Sequence, residues 1–151
     1  MRHLLLLVVC LVSASLPAFA TPPTDACSLL TPAQVSSVLG IPVSAGGSLG
    51  PKIICSWPAP GGTSAPKRVM VYISNVRVFA GAKMGLAGKA ETITPLSGVG
   101  DEAFYDVVGS SSIALFARKG DFAVSVKVFG FPPDQTKDKE KALAQDILAK
   151  P

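Results

Sequence analysis

The sequence predicts an α+β fold: a single antiparallel sheet of about five strands, with a short N-terminal helix and a C-terminal helix packed on it. Three observations lead to this prediction. Residues 111–129 alternate in polarity on both sides of a central turn, as a β-hairpin does. Residues 31–40 carry the start and stop signals of a short helix. Residues 136–149 place apolar side chains at helical spacing.

Residues 1–20 have the three parts of a secretory signal peptide: a short basic start, the apolar run 4–16 and the small-x-small site Ala18-Phe19-Ala20. We therefore expect a periplasmic or secreted protein with a flexible leader at 21–26 and a single domain at 27–151. No membrane-spanning segment is expected after cleavage, because the apolar run is too short for a permanent span. Val9 before Cys10 disfavours a lipid anchor, which requires a small residue there.

Two cysteines, Cys27 and Cys55, remain after the expected cleavage. An exported chain with an even number of cysteines most simply forms a disulfide. The alternative is a metal or redox pair. It lacks a C-x-x-C spacing, and the single histidine, His3, leaves with the signal peptide.

The N-terminal helix is predicted over residues 32–39. Thr31 and Gln34 form a T-x-x-Q capping box, and Leu30 and Val35 are spaced as a hydrophobic staple. Gly40 ends the helix. Because a helix of two turns is unstable alone, we expect it to dock on the sheet.

Strands are predicted at 53–57, 68–78 and 104–108, in addition to the two strands of the hairpin. Trp57 is assigned to the core, since a single tryptophan in a small domain usually fills volume. Residues 79–90 contain three glycines and are predicted to form a poor helix or an irregular crossing.

The hairpin has two possible registers. A turn at Lys119-Gly120 places Leu115 opposite Val124. A turn at Gly120-Asp121 shifts every pair by two residues and leaves the same side chains on each face. In both registers one face is apolar, so another layer must cover it. The C-terminal helix, predicted to be capped by Asp134 or Thr136, supplies a stripe that consists of Glu140, Leu143, Ala144, Ile147 and Leu148.

Two short motifs resemble parts of functional sites but lack the other features that such sites need. Residues 46–50 match the G-x-S-x-G string of hydrolase nucleophile elbows, but the mature chain has no histidine base and no strand-to-helix turn there. Asp101, Glu102 and Asp106 have the spacing of no calcium loop. We therefore expect no catalytic role for Ser48, no metal and no cofactor.

The charge distribution is uneven along the chain. Without residues 1–20 the chain has 13 basic and 10 acidic side chains, a balance too weak for a protein whose main partner is nucleic acid. Residues 26–90 nevertheless hold six basic side chains and no acidic one. One interpretation is a solvated basic face. The other is a surface for an anionic envelope component or another envelope protein, formed by Lys67, Arg68, Lys83 and Lys89.

The C-x-L-L-T helix start at Cys27, the C-x-W strand at Cys55 and the G-x-G-D-E-A turn at 98–103 together resemble a class of exported bacterial cell-envelope domains. Members of that class are often lipoproteins, and most have no assigned function. The resemblance implies no catalytic residues. The missing lipid-anchor cysteine points to a soluble periplasmic or secreted member.

The function predicted from these features is that of a non-enzymatic, exported cell-envelope domain that binds a ligand or a partner. Two alternatives remain. One is a carrier that holds an apolar small molecule between the sheet and residues 79–90. The other is a carboxylate-based hydrolase built on two of Glu91, Asp101, Glu102 and Asp106, because such sites need only a pair of carboxylates in a cleft.

Overall fold

The structure, a computed structural model, describes residues 22–61, 67–87, 92–109 and 112–150 of the 151-residue chain. After a turn of 3-10 helix at Ala26–Ser28, the elements follow in the order α1 (Pro32–Leu39), β1 (Gly47–Ser48), β2 (Ile54–Pro58), β3 (Arg68–Asn75), α2 (Val76–Ala87), β4 (Thr92–Leu96), β5 (Glu102–Val108), β6 (Ser112–Lys119), β7 (Phe122–Phe129) and α3 (Pro133–Leu148). The predicted signal peptide lies outside the described residues.

The strands form one antiparallel sheet in the order β1-β2-β3-β7-β6-β5-β4. The predicted fold class is confirmed, but the predicted number of about five strands is wrong, because the sheet has seven. Sequence reasoning missed the two edge strands. β1 is only two residues long and lies in a Gly/Ser-rich loop. β4 contains Pro95, which argues against a central strand but is tolerated at an edge.

The boundary between β3 and α2 also differs from the prediction. The strand predicted to run to residue 78 ends at Asn75, and α2 begins at Val76. The Asn75 side-chain oxygen accepts hydrogen bonds from the backbone N–H groups of Arg77 at 3.0 Å and Val78 at 3.1 Å, so it caps the helix. The β-branched residues that follow Asn75 concealed this helix start in the sequence.

The hairpin adopts the second of its two registers. Leu115 pairs with Val126 and Lys119 pairs with Phe122, so the turn is Gly120-Asp121. The apolar face is as predicted, because a shift of two residues preserves the faces. We call this side the first face of the sheet. Its buried side chains include Val71 of the central strand β3.

α1, α3 and the 3-10 helix cover the first face. The predicted capping box of α1 is confirmed: the Gln34 N–H donates to the Thr31 hydroxyl at 3.2 Å, and the Thr31 N–H donates to the Gln34 side chain at 2.9 Å. The predicted disulfide joins Cys27 to Cys55 and ties the chain before α1 to β2. Trp57 is fully buried, as predicted.

The capping prediction for α3 is wrong. The helix starts at Pro133, and the residue before it, Pro132, has no capping side chain. The Thr136 hydroxyl instead donates to the Phe131 carbonyl at 3.2 Å. The predicted apolar stripe is confirmed, because all five of its residues are buried.

α2 packs on the second face of the sheet through an aromatic cluster. The ring centroid of Phe79 lies 5.3 Å from that of Phe104, which in turn stacks on Phe116 at 5.0 Å. Farther along the same face, Met70 and Tyr72 of β3 lie outside this cluster and are half-buried. α2 therefore leaves part of the second face accessible.

Candidate functional site

The four residues predicted to form an anionic-partner surface do not all lie together. Lys67 and Arg68 lie at the start of β3. Lys83 on α2 donates to Glu102 at 2.6 Å, and the strand pairings place Glu102 level with Ser74, about 20 Å along β3 from Arg68. Lys89 lies outside the described residues.

At the start of β3, basic side chains lie over aromatic rings. The Arg68 guanidinium carbon is 4.4 Å from the centre of the Phe129 ring. The Phe131 ring has two ammonium groups at 4.9 Å, those of Lys67 and Lys139. Such contacts hold cations in place by the attraction of the ring quadrupole. We call these five residues the cation–aromatic cluster.

The end of β7 positions the cluster. Arg68 and Phe129 are direct cross-strand partners, so their side chains leave the sheet on the same face. Gly130 follows with a φ of +84°, and a Cβ atom there would lie 2.8 Å from Lys67 Cγ. Only glycine combines this backbone conformation with so close an approach. The chain can therefore bend around Lys67 and present Phe131 to it.

Lys139 has a structural role within the cluster. Its ammonium group donates to the carbonyls of Val38 at 3.0 Å and Leu39 at 3.3 Å. These carbonyls belong to the last turn of α1, where a cation is favourable. Lys139 thus connects α3 to α1, whereas Lys67 is exposed.

Lys127 adds a further cation beside the cluster. It pairs with Met70 on β3, one step along the second face from the Arg68–Phe129 pair. Diagonal neighbours of this kind are about 7–8 Å apart in an antiparallel pair. Lys67, Arg68 and Lys127 therefore place three positive charges at one end of the sheet, next to the accessible part of the second face.

These three cations have no carboxylate within 4.0 Å among the residues that the structure describes. The ion pairs found there connect Lys83 and Arg118 to Asp101 and Glu102 at the other end of the sheet. The cation-rich end therefore keeps its charge available for an external anion.

Among the described residues, the carboxylates of the hydrolase alternative are engaged by structural partners or lie far apart. Asp101 accepts from the Gly120 N–H at 2.7 Å. Hydrogen bonds from Lys83 and then Arg118 hold the pKa of the Glu102 carboxyl below its usual value, the opposite of what a general acid needs. Asp106 is four residues along β5 from Glu102, about 13 Å away. Glu91 lies outside the described residues.

The Ser48 hydroxyl contacts backbone carbonyls that follow it in the chain. Ser48 lies on the short edge strand β1, and its hydroxyl is 3.3 Å from the carbonyls of Pro51 and Ile54. Within the ranges that the structure covers, no three His, Cys, Asp or Glu side chains are grouped as they would be to hold a metal ion.

A hollow of about 270 Å³ lies where the 98–101 turn meets the end of α3. Its polar groups bond to one another: the Lys119 ammonium donates to the Leu148 carbonyl at 3.0 Å, and the Gln145 amide donates to the Gly98 carbonyl at 2.9 Å. The hollow is therefore part of the contact that connects the 98–101 turn to α3.

Sequence reasoning missed four residues of the basic end: Lys127, Phe129, Phe131 and Lys139. The available signal was the pair of phenylalanines around Gly130, directly after a strand and close to lysines.

None of the helices in the described ranges has the length and apolar character needed to cross a membrane. Comparison with known proteins found no family model, no curated protein and no solved structure that matches the chain.

Proposed function

We propose that this protein is an exported, non-enzymatic cell-envelope domain that binds a phosphate-bearing anionic component of the envelope through Lys67, Arg68 and Lys127. One observation carries the proposal: three cations gather at one end of the sheet without a carboxylate partner in the described ranges. Clustered charges attract an oppositely charged ligand and raise its association rate.

The aromatic rings make this end more than a solvated basic face. A lysine on an open surface is mobile and loses conformational entropy when it binds. The Phe131 and Phe129 rings hold Lys67 and Arg68 close to the strand end before any ligand arrives. Such preorganisation reduces the entropic cost of binding.

Export is supported by two features. The first is the order of basic, apolar and small residues over residues 1–20. The second is the Cys27–Cys55 disulfide, which is typical of an oxidising compartment. Together they favour a partner in the envelope or outside the cell.

The two alternatives have less support. The space between α2 and the sheet, where an apolar ligand would lie, is occupied by the buried rings of Phe79 and Phe104. The candidate carboxylates of the hydrolase are engaged or widely separated, and such enzymes need two of them across one bond.

The proposal predicts binding to phosphatidylglycerol vesicles or to soluble poly(glycerol phosphate), measured by sedimentation and by titration calorimetry. Binding should weaken steeply with added salt, because the screening length is about 8 Å at physiological ionic strength. Replacing Lys67, Arg68 and Lys127 together with glutamine should abolish it. The melting temperature should change little, because glutamine retains part of the aliphatic side chain and no ion pair of the described residues is lost.

A matched control removes the same charge elsewhere. The triple variant Lys52→Gln/Arg77→Gln/Lys141→Gln should bind as the wild type does, at equal net charge to the first variant. Binding to the vesicles alone would identify a lipid source, and binding to the polymer alone a cell-wall source. Equal losses from both triple variants would mean that net charge, not this site, causes attraction, and the proposal would be wrong.

A further inference from the structure

The sheet separates at the end that carries the basic residues. β6 pairs with β5 as far as Ser112, opposite Val108. Its pairing with β7, however, stops at Leu115 and Val126. β7 continues to Phe129 along β3. Among the described residues, the last three of β7 therefore have a strand on one side only.

The side chain of Glu140 lies at this separation. It projects from α3, is fully buried, and accepts a hydrogen bond from the Val128 N–H at 2.9 Å. Val128 lies in the unpaired part of β7. A carboxyl group thus takes the place that the carbonyl of a neighbouring strand would occupy, which satisfies a buried backbone donor.

The other carboxyl oxygen of Glu140 has no hydrogen-bond partner among the described residues. Burial raises the pKa of the Glu140 carboxyl to about 8, against smaller lowering effects of the Val128 hydrogen bond and of Lys127. At neutral pH the group is therefore mostly protonated, because a buried carboxylate without a cation partner is strongly unfavourable.

The charged and titratable groups around Glu140 come from three elements. β7 contributes Lys127. β5 contributes Tyr105, whose hydroxyl donates to the Lys137 carbonyl at 2.7 Å and whose pKa is raised to about 12 by burial, then by Glu140 and Asp138. α3 contributes Lys137, with its ammonium 5.9 Å from the Tyr105 ring, and Asp138. None of them pairs directly with the Glu140 carboxyl.

The preceding residue, Lys139, extends the effect of Glu140 beyond α3. Lys139 contacts the Phe131 ring and donates to the last carbonyls of α1. A movement of this part of α3 away from β7 would break these contacts as well as the Val128 hydrogen bond.

We propose that Glu140 is a proton-controlled latch, which in its neutral form holds the first half of α3 against the unpaired end of β7 and releases it when the proton is lost. The direction follows from linkage. In the attached state the pKa of Glu140 is about 8, whereas in the released state it returns towards its ordinary value. Between these two pKa values only the attached state keeps the proton, so each rise of one pH unit favours the released state by about tenfold. The attached state is most stable in acid and loosens as the pH rises through about 8.

The test is carried out on the whole protein by NMR. The Glu140 side-chain carbon should titrate with a midpoint near pH 8. Hydrogen-exchange protection, corrected for the intrinsic pH dependence, should fall about tenfold or more between pH 6.5 and pH 9 at Val128 and at helix-bonded amides in the first half of α3, residues 137–140, but not at 141–148. Glu140→Gln should remove this pH dependence, and Asp138→Asn, which replaces a different carboxyl group on the same helix, should keep it.

Three results would overturn the latch: a Glu140 midpoint below pH 5, unchanged protection of Val128 through the titration, or equal losses of protection in both halves of α3. The last would indicate global destabilisation. If Glu140→Gln does not fold, the titration and hydrogen-exchange measurements on the wild-type protein still test the latch.

Discussion

Replacing Val124 with aspartate is expected to prevent folding of the domain. Val124 is 1% exposed in β7, the centre of the sheet, and pairs with Ile73 on one side and Ala117 on the other. The residues around Val124 on the first face are apolar, and burying an unpaired carboxylate among them costs more than about 4–5 kcal/mol. Circular dichroism and thermal melting should show no cooperative unfolding transition.

Val78 provides the control for this substitution. It is 46% exposed in the first turn of α2, where an acidic side chain interacts favourably with the helix dipole. Val78→Asp should therefore change stability by no more than about 0.5 kcal/mol. Ser125 would be a poor control although it faces the other way, because it is itself buried between Tyr72 and Phe116. A folded Val124→Asp protein would show that the assignment of the first face is wrong.

Gly100→Ala is expected to destabilise the domain by about 3 kcal/mol or more, because several constraints meet at this residue. Gly100 has a φ of +58°, and a Cβ atom there would collide with the Arg118 carbonyl oxygen and lie 2.9 Å from Leu148 Cδ1. The neighbouring Asp101 N–H donates to the same Arg118 carbonyl at 2.8 Å. A side chain at 100 would therefore lift the turn from β6 and from α3. Chemical denaturation measures the loss.

Gly98→Ala separates the steric effect from the backbone effect. Gly98 also has a positive φ, +81°, but a Cβ atom there would meet nothing within 4 Å. Its replacement should cost only the strain of the left-handed conformation, about 1 kcal/mol. Similar losses at both positions would mean that the close approach to Arg118 is unimportant.

The G-x-G-D-E-A turn shows what such a motif does in this fold. Gly100 permits the contact with β6, Asp101 accepts from the N–H of Gly120 in the hairpin turn, and Glu102 links Lys83 of α2 to Arg118 of β6. Each conspicuous residue of the motif is thus engaged in holding elements together. Asp101 and Glu102, two of the acidic residues considered for calcium binding or catalysis, have structural partners.

Features determined by neighbours in the sequence were predictable. The capping box of α1 joins residues three apart, so Thr31 and Gln34 find each other in any fold that contains this helix. The two faces of the hairpin follow from the alternation of side chains along a strand, and the stripe of α3 follows from helical periodicity. The disulfide followed from a count of two cysteines in a chain predicted to be exported.

Features that depend on distant residues were decided by the tertiary structure. The hairpin register could not be chosen from alternation, because both turns give the same faces. The six basic side chains of residues 26–90 are close in sequence, but β3 and α2 carry Arg68 and Lys83 to opposite ends of the sheet. Charge along the chain is local, whereas a binding surface is assembled by strand pairing, which brought Lys127 and Phe129 to Arg68.

Glu140 is the clearest case of a residue whose environment could not be predicted from its neighbours in the sequence. Its position in the apolar stripe indicated that it faces the sheet, which is correct. Its environment depends on where the pairing of β6 with β7 ends, which no local pattern in the sequence encodes. The sequence by itself therefore determined which faces are apolar and which helices can form. The tertiary structure decided which charges are neutralised, which remain available and which are buried, because those outcomes depend on residues brought together from distant parts of the chain.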